Sequence, residues 1–333
     1  MSVIDLERKA LYNSLRIHAR PHEVLGTYRV EEWQVEDYRS LSMEALFDRL
    51  AHHGITLDPH AFVRLAEEWD TPEEMLDDLL PDQISAKVAD QIYLPLFELW
   101  RRLVPEKQSL SIFCDELDHQ ILEYDRDPTQ NGETMADMLA NLQEVLDENS
   151  DEGADPQEVF ALLQAHCASD LERFLYDYIA SQVDEERFDY AAELYEGFAH
   201  YHSDPKWLDL LHIRTIAPSD PEEAEDQLQE LLDDEEIEPD LDFDFEILSH
   251  LCQVGSVDQF RQLLPEMVPM LKTEEDFQDL LGACAHYFQC LDWDEEEQAM
   301  KEISQRREAR AAGSPFTFQD PDAQTLLELA RDL

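Results

Sequence analysis

Apolar residues recur at helical spacing along most of this chain, and no convincing run of alternating β-branched residues interrupts them. Apolar side chains at positions i, i+3, i+4 and i+7 lie on one face of a helix, so the pattern predicts amphipathic helices that bury that face. Several predicted helices begin at a capping residue followed by acidic side chains, which the positive end of the helix dipole favours. The hydrophobic pattern therefore predicts an all-α fold.

The first half of the chain carries predicted helices of unequal length. Capping residues predict helix starts at Ser42, Asp58 and Thr71, and Gly54 predicts the end of the first of these helices. Further predicted helices cover residues 82–104, opening at Asp82 and bent at Pro95, and residues 108–125, 133–147 and 156–168.

From about residue 170 the predicted helices come in pairs. The first helices lie near residues 171–182, 206–216, 243–253 and 275–289, and their partners near 187–202, 221–233, 256–271 and 294–309. The second helices recur every 34–38 residues, a period typical of helical-hairpin repeats.

One of these second helices carries a recognisable motif. In residues 188–205, Ala191 is followed four positions later by Tyr195 and then by a closing Pro205. This order resembles the second helix of a tetratricopeptide repeat, although Phe198 stands where a small residue is usual. No pair begins with the Trp-x-x-Leu-Gly motif of that family. The resemblance implies a C-terminal α-solenoid whose concave face binds a peptide or protein segment.

The predicted helices group into four regions. We expect an N-terminal helical domain, a helical connecting region with an acidic loop, an array of helical-hairpin repeats, and a loop followed by a capping helix. The corresponding boundaries are residues 1–106, 107–168, 169–310 and 311–333.

Glycine and cysteine usage exclude several common enzyme classes. The chain has eight glycines, and the closest two, Gly132 and Gly153, are 21 positions apart. Phosphate-binding loops and the nucleophile elbow of hydrolases need glycines within a few residues of one another, so neither is present. The five cysteines include no C-x-x-C pair, and we expect free thiols and no cofactor.

The charge of the chain is strongly acidic and unevenly distributed. There are 24 Lys and Arg against 79 Asp and Glu, a net charge of −55. Residues 1–110 carry 12 basic and 21 acidic residues, whereas residues 111–333 carry 12 and 58. Contacts to phosphate need clustered cations, so we expect a basic protein or peptide as partner, with no direct nucleic acid and no membrane. The opening residues MSVIDLERKA lack the pattern of an export signal, which favours a cytoplasmic protein.

One acidic segment has the spacing of a calcium-binding loop. Counted from its first aspartate, oxygen-bearing residues fall at positions 1, 3, 5, 9 and 12, as in an EF-hand. They are Asp147, Asn149, Asp151, Asp155 and Glu158. The turn glycine of that motif belongs at position six, whereas Gly153 comes one place later. An acidic linker ahead of a helix is the alternative interpretation.

Two further sets of residues are predicted to bind a partner. Aromatic side chains that would line a groove of the repeats are Tyr195, Tyr201 and Trp207, and a run of carboxylates that would attract basic segments is Asp233, Asp234, Glu235 and Glu236. The leading hypothesis is a non-enzymatic interaction module, such as an adaptor, assembly factor or chaperone. The alternatives are a DNA mimic, adaptation of the surface to high salt, and a metal-dependent enzyme of unknown reaction.

Overall fold

Every regular element of the described chain is helical. The structure is a computed structural model that describes residues 31–81, 83–151, 153–234 and 237–333. Within these ranges there are 17 α-helices and no strand, which confirms the all-α prediction. None of the helices in the described ranges has the length and apolar character needed to cross a bilayer.

The chain divides into two compact units, one ending at Leu175 and the other covering Tyr176–Leu333. The helices of the first unit are α1 (Glu32–Val35), α2 (Met43–His52), α3 (Pro59–Ala66), α4 (Pro72–Leu79), α5 (Ala86–Leu103), α6 (Leu110–Arg126), α7 (Pro128–Asp151) and α8 (Pro156–Gln164). Helix α9 (Leu171–Asp184) runs through the division between the units.

Local capping explains where the first helices begin. The side chains of Ser42, Asp58 and Thr71 each accept a hydrogen bond from the backbone N–H three residues further on, at 3.2, 2.8 and 3.2 Å. Each satisfies one of the N–H groups that a helix start leaves without a partner, and these three predicted starts are confirmed. Gly54 follows α2 with a φ of +85°, a conformation that favours glycine.

Helix α5 begins later than the sequence pattern indicates. Its first residue is Ala86, and the side chain of Ser85 accepts a hydrogen bond from the backbone N–H of Val88. The predicted opening residue, Asp82, lies outside the described residues. The helix continues through Pro95 to Leu103, and it packs against α2, α3 and α4 around the buried rings of Phe62 and Trp100.

The second unit is a succession of helices that pack on helices close to them in the chain. They are α10 (Phe188–Phe198), α11 (Lys206–Ile216), α12 (Pro221–Asp233), α13 (Leu241–Val254), α14 (Val257–Met267), α15 (Glu274–Cys290), α16 (Asp294–Arg307) and α17 (Pro321–Asp332). Helix α13 contacts α11 and α15, and α12 contacts α14. Helix α17 packs against α14 and α16.

A buried arginine holds the C-terminal segment onto the second unit. The Arg307 side chain is 1% exposed, and it donates two hydrogen bonds to Glu274, at 2.6 and 2.8 Å. It also donates to Asp320 and Asp322 at 2.7 and 2.8 Å, so that α15, α16 and the start of α17 meet at one cation. Its guanidinium lies 4.6 Å from the ring centroid of Phe277.

Backbone hydrogen bonds attach the same segment to the start of α15. The N–H of Glu274 donates to the carbonyl of Ser314 at 2.8 Å, and the N–H of Phe316 donates to the carbonyl of Lys272 at 2.8 Å. The ring of Phe316 stacks on Phe277 at a centroid distance of 4.4 Å. Removing the charge of Arg307 would therefore leave the buried Glu274 with Arg310, at 3.5 Å, as its remaining cation.

We expect Arg307→Met to destabilise the second unit by about 3–5 kcal/mol, because breaking a buried ion pair is strongly destabilising and the half-exposed Arg310 compensates Glu274 only in part. Hydrogen exchange at the amides of α15 to α17 would measure this loss. The matched control is Arg306→Met, since Arg306 is more than half exposed and pairs with Asp322 alone. Its cost should stay below about 1 kcal/mol. Equal protection of these amides from hydrogen exchange in Arg307→Met and Arg306→Met would contradict the structural role of Arg307.

Candidate binding groove

An open groove lies in the first unit where α5, α6, α7 and α8 meet. It has two compartments, with volumes of about 400 and 660 Å³. The smaller, named the acidic compartment, is lined by residues that include Trp100, Ile112, Glu116, Met138, Glu144 and Glu148. The larger, named the apolar compartment, is lined by residues that include Leu110, Ala154, Glu158, Val159, Leu162 and Leu163. Both compartments share Gln108, Phe113 and Val145, so they adjoin.

Helix α6 has one face toward the groove and a polar face buried in the unit. Leu110 and Phe113 are three positions apart and line the apolar compartment. Ser111, Asp115 and Asp118 recur at helical spacing on another side, and all three are buried. The position of α6 therefore depends on how these buried polar groups are satisfied.

An arginine from outside the helix compensates the first buried carboxylate. Arg39 donates to Asp115 at 2.7 Å and to Glu116 at 2.8 Å. Asp118 accepts hydrogen bonds from the backbone N–H groups of Ala168 and Ser169, at 2.8 and 2.9 Å. These contacts attach α6 to the segment before α2 and to the segment after α8.

A further buried carboxylate, that of Glu73, reaches the same region from α4. The hydroxyl of Tyr93 donates to Glu73 at 2.5 Å, and both side chains are buried. Burial raises the pKa of Glu73, and burial together with the charge of Glu73 raises that of Tyr93. Burial also raises the pKa of Asp115, to about 6, although Arg39 acts in the opposite direction.

The linker between α5 and α6 is held by Lys107. Its ammonium donates to the carbonyl oxygens of Ala66, Glu67 and Trp69 at 2.6 to 3.2 Å. Carbonyls at the end of a helix lack intrahelical partners, and a lysine satisfies them well. The carbonyl of Lys107 in turn accepts a hydrogen bond from the indole N–H of Trp100 at 3.1 Å, which fixes one wall of the acidic compartment.

The groove carries a net negative charge. Glu144, Glu148 and Glu158 are exposed, and their carboxylates have no hydrogen-bond or ion-pair partner among the described residues. The basic residues that line the groove are already engaged, because Arg101 pairs with Glu98 at 2.6 Å and Lys107 binds backbone carbonyls. The charges left to meet a ligand are therefore carboxylates.

Leu162 gives the apolar compartment an exposed hydrophobic wall. Its side chain is 42% exposed. Among the described residues, the other large hydrophobic side chains with comparable exposure are Val254 and Phe318, both in the second unit. In α8, Phe160 and Leu163 are buried, and the less buried Val159 and Leu162 line the groove beside Leu163. Helix α8 thus carries apolar residues in addition to those that it buries in the core.

The three predicted aromatic residues are all engaged within the second unit. Tyr201 is 1% exposed, so its ring packs inside the unit. Trp207 packs edge-on against Tyr176 and Phe243, at centroid distances of 5.4 and 5.0 Å. The hydroxyl of Tyr195 donates to Asp209 at 2.9 Å, and its ring stacks on His212 at 4.3 Å.

The predicted carboxylate run lies at the end of α12. Asp233 and Asp234 are exposed, and Asp233 accepts hydrogen bonds from Gln229 and Gln262 at 3.1 and 2.8 Å. Glu235 and Glu236 lie outside the described residues.

The predicted calcium ligands are divided between two helices. Asp147, Asn149 and Asp151 belong to α7, which extends four residues beyond its predicted end, whereas Asp155 caps α8 and Glu158 lies in its first turn. Residues two positions apart in a helix point to different sides, so Asp147 and Asn149 do not converge on one ion. Within the described ranges, no three or more His, Cys, Asp or Glu residues form a group that could hold a metal.

The sequence pattern did not single out Phe113, Val145 or Leu162. The available signal was the segment VFALL in α8, in which four of five residues are large and apolar. That excess indicates a second apolar face, but it does not identify which helices lie beside it.

Comparisons of the chain with family models, with curated proteins and with solved structures find no match. The resemblance to tetratricopeptide repeats accordingly stays a prediction.

The raised pKa of Asp115 predicts a pH dependence of stability. Between about pH 4, the unfolded value, and about pH 6, the folded chain holds a proton that the unfolded chain has lost. This contribution is complete below about pH 4 and is lost as pH rises through 6. Wild type should lose up to about 3 kcal/mol relative to Asp115→Asn over that range, measured by hydrogen exchange at the amides of α6.

Asp322→Asn supplies a control of opposite sign. Although partial burial acts to raise it, the pKa of Asp322 is lowered by the hydrogen bonds from Arg307 and Arg306. Its contribution is present above about pH 4 and is lost as pH falls. Wild type should therefore lose stability relative to Asp322→Asn under acid conditions. If the stability difference between wild type and Asp115→Asn changed with pH in the same direction as that between wild type and Asp322→Asn, the opposite pKa shifts of the two aspartates would be refuted.

Proposed function

We propose that this chain is a protein–protein interaction module that binds a basic segment of a partner in the groove of its first unit. The observation that carries the proposal is the combination of an exposed apolar wall at Leu162 with unpaired carboxylates at Glu144, Glu148 and Glu158. Apolar contact supplies affinity, while carboxylates accelerate encounter with basic partners and select against acidic ones.

The apolar wall makes a substantial contribution to this binding. Fully burying a leucine side chain stabilises by about 1.5–3 kcal/mol, so covering the exposed part of Leu162 contributes about 1 kcal/mol. Val159, Phe113 and Leu110 extend the same surface. A partner with apolar residues on one face and cations beside them satisfies both features of the groove.

A binding role also accounts for the buried titratable groups. Tyr93, Asp115 and Glu73 are each at most 5% exposed. A catalytic group must reach its substrate, whereas these side chains hold α6 in position. The perturbed pKa values in the first unit therefore fit a structural role.

The second unit extends the proposed module. The contacts of α13 with α11 and α15, and of α12 with α14, fit the proposed array of tetratricopeptide-like hairpins. In that arrangement, equivalent helices of successive hairpins lie side by side.

A designed helical peptide tests the groove. The basic peptide has about 18 residues, a stripe of leucines at helical spacing and flanking Lys and Arg. We expect Leu162→Glu to weaken its binding by about tenfold or more, measured by fluorescence anisotropy, because the glutamate must be desolvated against apolar side chains.

The matched control for this variant is Val254→Glu. Val254 is 44% exposed in the second unit and does not line the groove, so this substitution introduces the same charge at a similarly exposed apolar position. Its affinity should equal that of wild type. Equal weakening by the two variants, or equal binding of a peptide with the same composition and no leucine stripe, would reject the groove.

A specific observation also favours the DNA-mimic alternative. Glu222, Asp226 and Glu230 are exposed on α12 and recur every four residues, which places them about 6 Å apart along the helix. Such a row presents regularly spaced negative charges, as a nucleic-acid strand does.

Charge reversal on α12 separates the two functions. If the groove is the binding surface, the triple variant Glu222→Lys, Asp226→Lys and Glu230→Lys should bind the basic peptide within about threefold of wild type near 0.15 M salt, because none of the three residues lines the groove. A loss beyond about tenfold would instead place the binding surface on α12. Circular dichroism would verify that the variant keeps its helices.

A further inference from the structure

The two compartments of the groove differ in the side chains they could accept. The apolar compartment is walled by Leu110, Val159 and Leu162, and its charged residue, Glu158, lies in the first turn of α8. The acidic compartment combines apolar contacts with exposed carboxylates at Glu144 and Glu148. A ligand that fills both compartments must carry two chemically different groups.

The acidic compartment suits a long basic side chain. Met138, Ile112 and Trp100 supply an apolar lining, against which the methylene stem of a lysine or arginine can lie. Glu144 and Glu148 are four positions apart on α7, so they lie on one face and can meet the same cation. Since neither carboxylate has a partner in the described ranges, a ligand cation would displace no existing ion pair.

A helix suits this groove better than a segment that binds by strand addition. The described residues of the first unit contain no strand edge to which an extended peptide could add. A helix forms its own backbone hydrogen bonds, so it can place apolar side chains in a groove without leaving backbone groups unpaired.

The two compartments adjoin, so neighbouring positions on one face of a helix can occupy both. They share Gln108, Phe113 and Val145, and side chains three or four positions apart lie beside each other on a helix face.

We propose that the groove recognises a partner helix by a pair of positions one turn apart, with a Lys or Arg in the acidic compartment against Glu144 and Glu148 and a large apolar residue in the apolar compartment against Leu162. The inference rests on the proposed binding function and adds the chemistry that selects the partner. Leu162 supplies the apolar contact, and the pair of glutamates sets the requirement for a cation.

A reciprocal charge exchange tests this assignment. The protein variant is Glu144→Lys with Glu148→Lys, and the probes are the basic peptide and a second peptide with glutamate in place of the cation one turn from the central leucine. We expect the protein variant to weaken the basic peptide by about tenfold or more and to strengthen the exchanged peptide by a similar factor.

The same helix supplies a matched control. Glu133 and Asp137 are also exposed and four positions apart on α7, and they lie outside both compartments. Glu133→Lys with Asp137→Lys makes the same change in net charge, and it should alter the affinity of either peptide by less than about threefold. Equal effects of the two double variants would overturn the assignment, since only the overall field would then act.

Three further outcomes separate this inference from the proposed function. If wild type binds neither peptide, the binding function itself fails. If Leu162→Glu abolishes binding while the exchange at Glu144 and Glu148 has no effect, the function stands and the cation assignment fails. If sedimentation shows a dimer that the basic peptide dissociates, the groove accepts a second copy of this chain and the inference is wrong. Unchanged unfolding midpoints would show that the variants remain folded.

Discussion

The ion pair between Arg39 and Asp115 is the contact on which the groove depends. Asp115 is 1% exposed, and an isolated carboxylate at that depth would be costly to bury. Arg39 compensates part of this cost and thereby holds the polar face of α6 inward. Because the same helix carries Leu110 and Phe113 on another side, the burial of Asp115 leaves those apolar residues at the groove.

Cations are scarce in this chain, and two arginines with little exposure each bind several carboxylates. Arg39 binds two acidic side chains in the first unit, and Arg307 binds three in the second. With 24 basic residues against 79 acidic ones, most carboxylates must instead be solvated at the surface. The buried carboxylates described above are each compensated by an arginine, by backbone N–H groups or, at Glu73, by the hydroxyl of Tyr93. The same shortage leaves Glu144 and Glu148 open to an external cation.

Affinity and selectivity come from different parts of the groove. Contact with the wall around Leu162 is short-ranged and insensitive to salt, whereas the attraction of carboxylates for a basic partner is screened over about 8 Å at physiological ionic strength. An acidic surface alone would attract many basic proteins. The adjoining apolar compartment restricts binding to partners that also present a large apolar side chain at the right position.

The sequence by itself determined the all-α class and the extent of most helices. These features depend on residues within one or two turns, such as the caps at Ser42 and Thr71, so they can be predicted locally. Tertiary structure decided which apolar faces are covered. It placed Tyr201 in the interior and left Leu162 exposed, although both lie in amphipathic segments. It also placed Asp147 within α7 and Asp155 at the cap of α8, because α7 continues to Asp151, into the segment that spacing indicated as a loop. Periodicity shows that a helix has an apolar face, but only packing between distant segments determines whether another helix covers it.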